Sequence, residues 1–260
     1  MGIETSEKRQ CVSLLKVPVD IISPEHLGAF IYGLLNDDKE HNIILLSLWD
    51  LLRARRNAEY RSYVNKASLV IPISKSIVSG LKFLYGTRYA IKPGEKSYRY
   101  MPFEFIISLL ANLEKREHSC YLLGGGKKVL MKTESNIRQT FPKLRIVGRF
   151  PGAFKRSEEP TIIKAIKKAS PSLLLVGKGV RGGECWIPRN SENLGKGLRL
   201  WCSDIFDVFA EKKEHPSNAV FSRGLEWVGY YFRSPVKFLR IFPYIYYKIL
   251  LLVYKLFVKD

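Results

Sequence analysis

The sequence predicts an α/β protein: a Rossmann-like fold whose mainly parallel sheet is covered by helices on both faces. Short apolar runs alternate with longer segments of helical periodicity through the first two hundred residues, and strands separated by such helices form parallel sheets. The chain of 260 residues, 46% of them hydrophobic, is also long enough to bury a core of that size. We therefore expect a core over residues 1–222 and an appendage over residues 223–260.

Each predicted element depends on its own local pattern. Strands are short apolar runs, and helices are segments whose apolar residues recur three or four positions apart. Ser23 stands where a helix cap is favoured, and Pro72 ends a strand. In chain order we predict a strand at 17–22, a helix at 24–35, a strand at 43–46, a basic amphipathic helix at 51–65, a strand at 69–71, a helix at 103–114, a strand at 120–123, a helix at 129–140, a strand at 144–147, a helix at 161–168 and a strand at 173–176. Right-handed crossovers between these strands would give a doubly wound layout.

Two of the predicted strands lead directly into glycine-rich loops, "GGG" at 124–126 and "GKGVRGG" at 177–183. A helix that begins at a glycine turn binds anions readily, but neither loop has the Walker or the GxGxxG pattern. Lys178 and Arg181 could neutralise a diphosphate. Alternatively, the second loop is a turn between strand and helix with solvated charges.

The net charge of +19, from 43 Lys and Arg against 24 Asp and Glu, predicts an anionic partner. No signature of a nucleic-acid-binding module is present, so we expect phosphate esters or acidic lipid rather than nucleic acid. The four cysteines and four histidines lack metal-ligand spacing, and we expect no metal. The N-terminal residues contain no apolar signal core, which favours a cytoplasmic location.

The composition becomes aromatic, aliphatic and basic after about residue 222. The run at 241–258 is strongly apolar, interrupted by Pro243, Lys248 and Lys255. It is slightly short for a membrane span. We expect an interfacial helix, with Arg240, Lys248 and Lys255 reaching lipid headgroups. The alternative is a final core helix docked on the domain.

Five short stretches occur in an informative order and spacing. They are "NKASLVIP" at 65–72, "YLLGGGKKV" at 121–129, "FPKLRIVGRFPGAF" at 141–154, "LLLVGKGVRGGECWI" at 173–187 and "RGLEW" at 223–227. Together they resemble the TagA/WecG/CpsF family of glycosyltransferases over nearly the whole chain.

The resemblance implies a Rossmann-like core with an appendage that brings the protein to the inner face of the cell membrane. Members transfer an N-acetylhexosamine-type sugar, often N-acetylmannosamine or its uronic acid, from UDP to a polyprenyl-diphosphate-linked sugar in envelope polysaccharide synthesis. The implied partners are a UDP-sugar donor, a lipid-linked acceptor and an anionic membrane surface, with no cofactor. The implied donor-binding residues are Gly124, Gly125, Gly177, Gly179, Arg181 and Glu184.

The sequence departs from the family pattern at the implied catalytic and substrate-binding positions. The resemblance implies a catalytic Asp directly after Pro72, but Ile73 stands there and cannot accept a proton. The family's Thr-x-Asn motif appears as residues 45–47, "LLS", and its Pro-Lys-Gln as residues 181–183, "RGG". These losses leave open a second function: a catalytically inactive binding or scaffold subunit that works with another glycosyltransferase.

Three carboxylates are candidates for roles at the site. Asp204 and Asp207 could substitute for the missing base, or they could be one buried cap and one solvated charge. Glu184 could hydrogen-bond a ribose or sugar hydroxyl, or it could be a first-turn carboxylate favoured by the helix dipole.

Overall fold

The computed structural model describes residues 9–86, 98–223 and 241–257. Its centre is a six-stranded parallel sheet, and a separate two-stranded antiparallel sheet lies beside it. The strands are β1 (Arg9–Leu14), β2 (Val17–Ile22), β3 (Glu40–Leu46), β4 (Leu69–Pro72), β5 (Ser119–Leu123), β6 (Arg145–Phe150), β7 (Leu173–Gly177) and β8 (Gly197–Ser203). The Rossmann-like α/β prediction is confirmed.

Helices cover both faces of the large sheet, as predicted. They are α1 (Pro24–Asn36), α2 (Leu48–Arg56), α3 (Ala58–Asn65), α4 (Lys75–Tyr85), α5 (Pro102–Lys115), α6 (Lys127–Thr140), α7 (Glu159–Ala169), α8 (Trp186–Leu194), α9 (Ile205–Phe209), α10 (Asn218–Arg223) and α11 (Ile241–Phe257). One core contains side chains of α2, α3, α4, α7, α8 and α11. The other contains side chains of α1, α5, α6 and α9.

Strand side chains alternate between these two cores, as the pleat of a strand requires. In β7, Leu174 and Val176 belong to the first core, whereas Leu173 and Leu175 belong to the second. All five residues of this strand are buried. A strand buried on both faces has a continuous apolar sequence, which is why this strand was predictable from its sequence.

In the strand order β4-β3-β8-β7-β5-β6, β3 and β8 are among the neighbouring strands whose chains continue on opposite faces of the sheet. β3 continues into α2 on the first face, and its neighbour β8 continues into α9 on the second. Between the carboxyl ends of two such strands a crevice opens, and open α/β sheets bind ligands there. The fold therefore places a candidate site between the ends of β3 and β8.

The predicted strand at 17–22 exists, but it pairs with β1 in the small antiparallel sheet rather than in the large one. Asp20 attaches this hairpin to the core. Its buried carboxylate accepts a 2.7 Å hydrogen bond from the backbone N–H of Val70 and a 2.9 Å bond from Nε of Arg9. The hairpin thus packs beside β4 without extending the parallel sheet.

The single helix predicted at 51–65 is wrong, because two helices, α2 and α3, occupy this segment. Asn57 separates them with an extended backbone, and its side-chain oxygen accepts a 2.8 Å hydrogen bond from the N–H of Tyr60. Asparagine favours a helix N-cap over a helix interior because its side chain bonds nearby backbone groups. The cap at Asn57 therefore begins a second helix, although the amphipathic pattern of the sequence continues across this position.

α11 docks on the first face of the core through one side only. Tyr247 and Leu251 are buried, and the hydroxyl of Tyr247 donates a 2.8 Å hydrogen bond to the carbonyl of Ser76 in α4. The opposite side of α11 is an exposed apolar stripe made of Phe242, Ile245, Tyr246, Ile249, Leu252, Val253, Leu256 and Phe257. The docked side agrees with the alternative of a final core helix packed on the domain, and contact of the exposed side with a membrane stays a prediction.

Candidate functional site

A cavity of about 380 Å³ lies at the carboxyl ends of β3, β4 and β8, at the crevice that the topology opens. β3 and α2 contribute Leu45, Ser47 and Asp50, the end of β4 contributes Ile73, and the turn before α8 contributes Glu184. β8 and the residues after it supply the opposite wall. That wall includes Trp201, Cys202, Ser203, Asp204, Ile205, Val208, Lys213, Glu214, His215 and Pro216.

Asp50 reaches the cavity because it belongs to the cap of α2. Ser47 is the N-cap, and its hydroxyl accepts from the backbone N–H of Asp50. The Asp50 Oδ2 atom accepts in return from the Ser47 backbone N–H at 2.8 Å and from the Ser47 hydroxyl at 2.5 Å. This reciprocal capping box fixes the carboxylate in one orientation at the cavity wall.

The Glu184 carboxylate is held in place by Arg53, which also belongs to α2. Its Oε2 atom accepts a 2.9 Å hydrogen bond from Nη1 of Arg53, and the second guanidinium nitrogen donates to Sγ of Cys185 at 3.2 Å. The guanidinium also lies over the ring of Tyr60, 4.3 Å from its centroid. A guanidinium held by three groups is a rigid support, so the Glu184 carboxylate has a defined position.

Burial raises the pKa of the Glu184 carboxyl to about 8, and the nearby charge of Asp50 adds to the rise although Arg53 opposes it. Burial also raises the pKa of Asp50, against the hydrogen bonds from Ser47. Two buried carboxyls whose charges act on each other have a strong tendency to retain one proton between them. The cavity therefore contains two carboxyls whose pKa values lie above their ordinary range.

The opposite wall carries groups that are already paired or exposed. Asp204 forms an ion pair with Lys213, and both are partly exposed. His215 is exposed, and its ring stacks on Phe103 with 4.9 Å between the centroids. Among the described residues, no group of three or more His, Cys, Asp and Glu side chains could hold a metal ion.

The two glycine loops lie side by side at the ends of β5 and β7. A Cβ atom on Gly124, whose φ is +131°, would stand 2.7 Å from the backbone nitrogen of Gly177. The N–H of Gly125 donates to the carbonyl of Lys178 at 2.6 Å, and the N–H of Gly152 donates to the carbonyl of Gly125 at 2.9 Å. Glycine is thus required here for contact between two backbones.

The charged residues of the second loop have different surroundings. Lys178 forms an ion pair with Asp207, whose carboxylate is buried with the residue only 3% exposed. Arg181 is exposed at the surface of the loop. Asp207 is thus placed against the glycine loop, whereas Asp204 lines the cavity.

Among the predicted donor-binding residues, Glu184 lines the cavity, and the glycines at 124, 125, 177 and 179 form the adjacent loop pair. Ile73 faces the same cavity, so the position of the missing carboxylate belongs to this site. Asp50 was not predicted as a site residue. Its signal is the spacing Ser47-x-x-Asp50 directly after an apolar strand, since a carboxylate three residues beyond a serine cap is held at the strand's end.

Of the predicted membrane residues, Lys248 and Lys255 are exposed on α11. Their positions on the helix fall at the border between the docked side and the apolar stripe, and the ammonium of Lys255 lies 4.4 Å from the ring centroid of Phe83. Arg240 and the "RGLEW" stretch beyond Arg223 lie outside the described residues. Within the described ranges, the helices are too short or too polar to span a bilayer.

The fold and cavity define a doubly wound α/β protein with two partly buried carboxyls in a cavity at the carboxyl ends of β3, β4 and β8, the edge where open α/β sheets bind ligands. The sequence model of the glycosyl transferase WecG/TagA/CpsF family matches residues 12–260. The chain therefore belongs to the WecG/TagA/CpsF family of glycosyltransferases, as the resemblance of its motifs implies.

A relative is the Bacillus spizizenii protein named N-acetylglucosaminyldiphosphoundecaprenol N-acetyl-beta-D-mannosaminyltransferase. The two are 21% identical over 188 residues, which cover 72% of this chain and 69% of the relative. The name describes transfer of N-acetylmannosamine to a lipid-diphosphate-linked N-acetylglucosamine by that relative.

Proposed function

We propose that the protein transfers an N-acetylhexosamine-type sugar, N-acetylmannosamine or its uronic acid, from a UDP-sugar to a polyprenyl-diphosphate-linked acceptor in envelope polysaccharide synthesis. Membership of the glycosyltransferase family and the name of the Bacillus relative support the reaction class. The observation that carries the proposal is the cavity at the carboxyl ends of β3, β4 and β8, which holds two partly buried carboxyls of raised pKa. Glycosyl transfer to a hydroxyl needs such a proton acceptor.

The donor site that we propose consists of the paired glycine loops with Arg181. Close packing of Gly124 against Gly177 brings two strand ends together beside the first turns of α6 and α8. The positive ends of these helices and the Arg181 guanidinium would then face the UDP diphosphate. In this arrangement the sugar would point from the loops toward the cavity at β3 and β8.

The acceptor carries a long lipid, and α11 offers a surface for the membrane that contains it. Its apolar stripe includes Phe242, which is 62% exposed, and Leu256, which is 75% exposed. Arg56 lies 5.2 Å from the ring centroid of Tyr246 at the edge of the stripe. An apolar helix face bordered by aromatic and basic side chains is typical of helices that lie in a membrane interface. We therefore propose a peripheral protein on the inner face of the cell membrane.

One observation favours a different function. Ile73 lines the cavity at the position where the family resemblance implies the catalytic Asp. An inactive subunit that binds sugar nucleotide or lipid for another glycosyltransferase would tolerate this replacement. The two functions differ in one measurable property, which is turnover.

The test is a transfer assay with purified protein, UDP-N-acetylmannosamine and a short-chain polyprenyl-diphosphate N-acetylglucosamine in mild detergent. We expect a lipid-linked disaccharide, detected by mass spectrometry, and equimolar UDP. The uronic acid donor and UDP-N-acetylglucosamine serve as alternatives that identify the sugar. Calorimetric titration with UDP, on wild type and Arg181→Ala, measures donor binding separately. Saturable UDP binding without any transfer would favour the inactive subunit, and absence of both would contradict the proposal.

A further inference from the structure

A glycosyl transfer at this cavity has a chemical requirement that Ile73 does not meet. When the acceptor oxygen bonds to the anomeric carbon, the bond from that carbon to the diphosphate oxygen breaks, and the electron pair leaves with UDP. The hydroxyl proton must pass to a base as the new bond forms. This inference rests on the proposed function and concerns which residue takes that proton.

The described part of the cavity contains few candidates. Asp204 is already engaged in an ion pair with Lys213. Glu214 and His215 are exposed, and Nδ1 of His215 lies 3.0 Å from the carbonyl oxygen of Pro216. Asp50 and Glu184, on the opposite wall, are partly buried carboxyls of raised pKa.

We infer that Glu184 accepts the proton of the acceptor hydroxyl, and that Asp50 beside it is a positioning residue that prepares it for this role. Arg53 binds Oε2 of Glu184, and the proton would be received on Oε1. Asp50 is fixed by Ser47, so its charge acts on Glu184 from a constant place.

The surroundings of Glu184 support its use as a base near neutral pH. Burial is the main cause of its raised pKa of about 8, and Asp50 is the second. The charged and titratable groups that face it are Arg53 from α2, Tyr60 and Tyr63 from α3, and its neighbour Cys185. Across the cavity stand Asp204, Lys213, Glu214 and His215. Among Arg53, Tyr60, Tyr63 and Cys185, only Arg53 carries a positive charge that stabilises the deprotonated form of Glu184.

The experiment compares wild type with Glu184→Gln, Asp50→Asn and the control Glu192→Gln, an exposed carboxylate on α8. For Glu184→Gln we expect kcat to fall by about 10²- to 10⁴-fold, the usual contribution of a general base. UDP affinity should stay within about threefold, a difference under 1 kcal/mol. Glu192→Gln should leave kcat and UDP affinity unchanged.

The pH profile separates a base from a structural residue. A base works when deprotonated, so wild-type kcat should rise with pH to a plateau above the pKa of about 8. Asp50→Asn removes a neighbouring negative charge, so the midpoint of this rise should move to lower pH. Infrared spectra should show a protonated-carboxyl band at pH 6 that Glu184→Gln lacks.

The possible failures are distinguishable. If wild type transfers no sugar with any of the donors tested, the proposed function fails and Glu184 has no reaction to serve. If wild type is active and Glu184→Gln retains its kcat, the inference is wrong although the function holds. Loss of UDP binding in Glu184→Gln with little change in kcat would assign this residue to the donor instead and would also overturn the inference.

Discussion

Gly124 shows how tightly individual residues are constrained at the candidate donor site. Its φ of +131° is unfavourable for any side chain, and a Cβ there would stand 2.7–2.8 Å from three backbone atoms of Gly177. Backbone atoms in a βα loop cannot move aside as a flexible side chain can. This glycine therefore holds two strand ends together, and with them any ligand that both loops bind.

We expect Gly124→Ala to lower the free energy of unfolding by about 2–4 kcal/mol, from backbone strain and overpacking combined. UDP binding should weaken as well, because the loops would separate. Gly33→Ala is the matched control: this exposed glycine lies inside α1 with nothing near its Cβ position, and alanine should stabilise the helix by about 0.5–1 kcal/mol. Urea denaturation measures both. Equal stability of the two variants would show that the loops are not packed as described.

The residue scale also shows what the sequence could reveal about the site. The glycine loops and the loss of the carboxylate at Ile73 are visible in the sequence, because each is a local departure from a pattern. Asp50 is different, since a capping serine and aspartate are common at helix starts. Its role depends on Glu184, which is 134 residues away in sequence and is brought close only by the order of the strands.

At the scale of elements, sequence patterns predict the strands with short apolar runs but miss a central strand that contains a buried arginine. β8 was not predicted, although it lies in the middle of the sheet. Its sequence "GLRLWCS" contains Arg199, which is buried. Its Nη2 atom donates to the carbonyl of Ser191 at 3.0 Å and pairs with Glu40 at 3.0 Å. Only these tertiary partners make a charged residue acceptable in a central strand.

The docking of α11 is an element-scale feature that can be tested directly. Gly80 in α4 lies under Tyr247, and a Cβ at this position would collide with the tyrosine hydroxyl. Glycine inside a helix normally costs stability relative to alanine. The absence of a side chain at Gly80 therefore allows α11 to pack closely against α4.

We expect Gly80→Ala to destabilise the protein by about 1–3 kcal/mol through overpacking, despite the better helix propensity of alanine. Tyr247→Phe should cost about 1 kcal/mol, the usual value of a hydrogen bond such as the one to Ser76. Because phenylalanine also removes the colliding hydroxyl, the double variant should be more stable than the sum of the single losses predicts. A denaturation cycle measures this coupling. Strictly additive losses would mean that Tyr247 does not pack on Gly80.

At the scale of the whole molecule, charge and apolar surface occur together. The chain has a net charge of +19, and α11 exposes a continuous apolar stripe. The sequence predicted both the charge and the apolar segment, but it could not show which side of the helix faces outward. That side is decided by Tyr247 and Leu251, which pack into the core and turn the other residues toward solvent.

These two properties predict a specific pattern of membrane binding. Vesicles with anionic lipid should bind the protein more tightly than zwitterionic ones, and the difference should shrink as salt screens the charges. Leu252→Glu should weaken binding at least about tenfold at any salt concentration, because a leucine side chain contributes about 1.5–3 kcal/mol when buried. Met131→Glu is the control, since it makes the same charge change on an exposed methionine of α6. Vesicle co-sedimentation measures the membrane affinity of wild type and of both variants. An equal loss of binding in Leu252→Glu and Met131→Glu would show that net charge attaches the protein to the membrane without a contribution from the apolar stripe on α11.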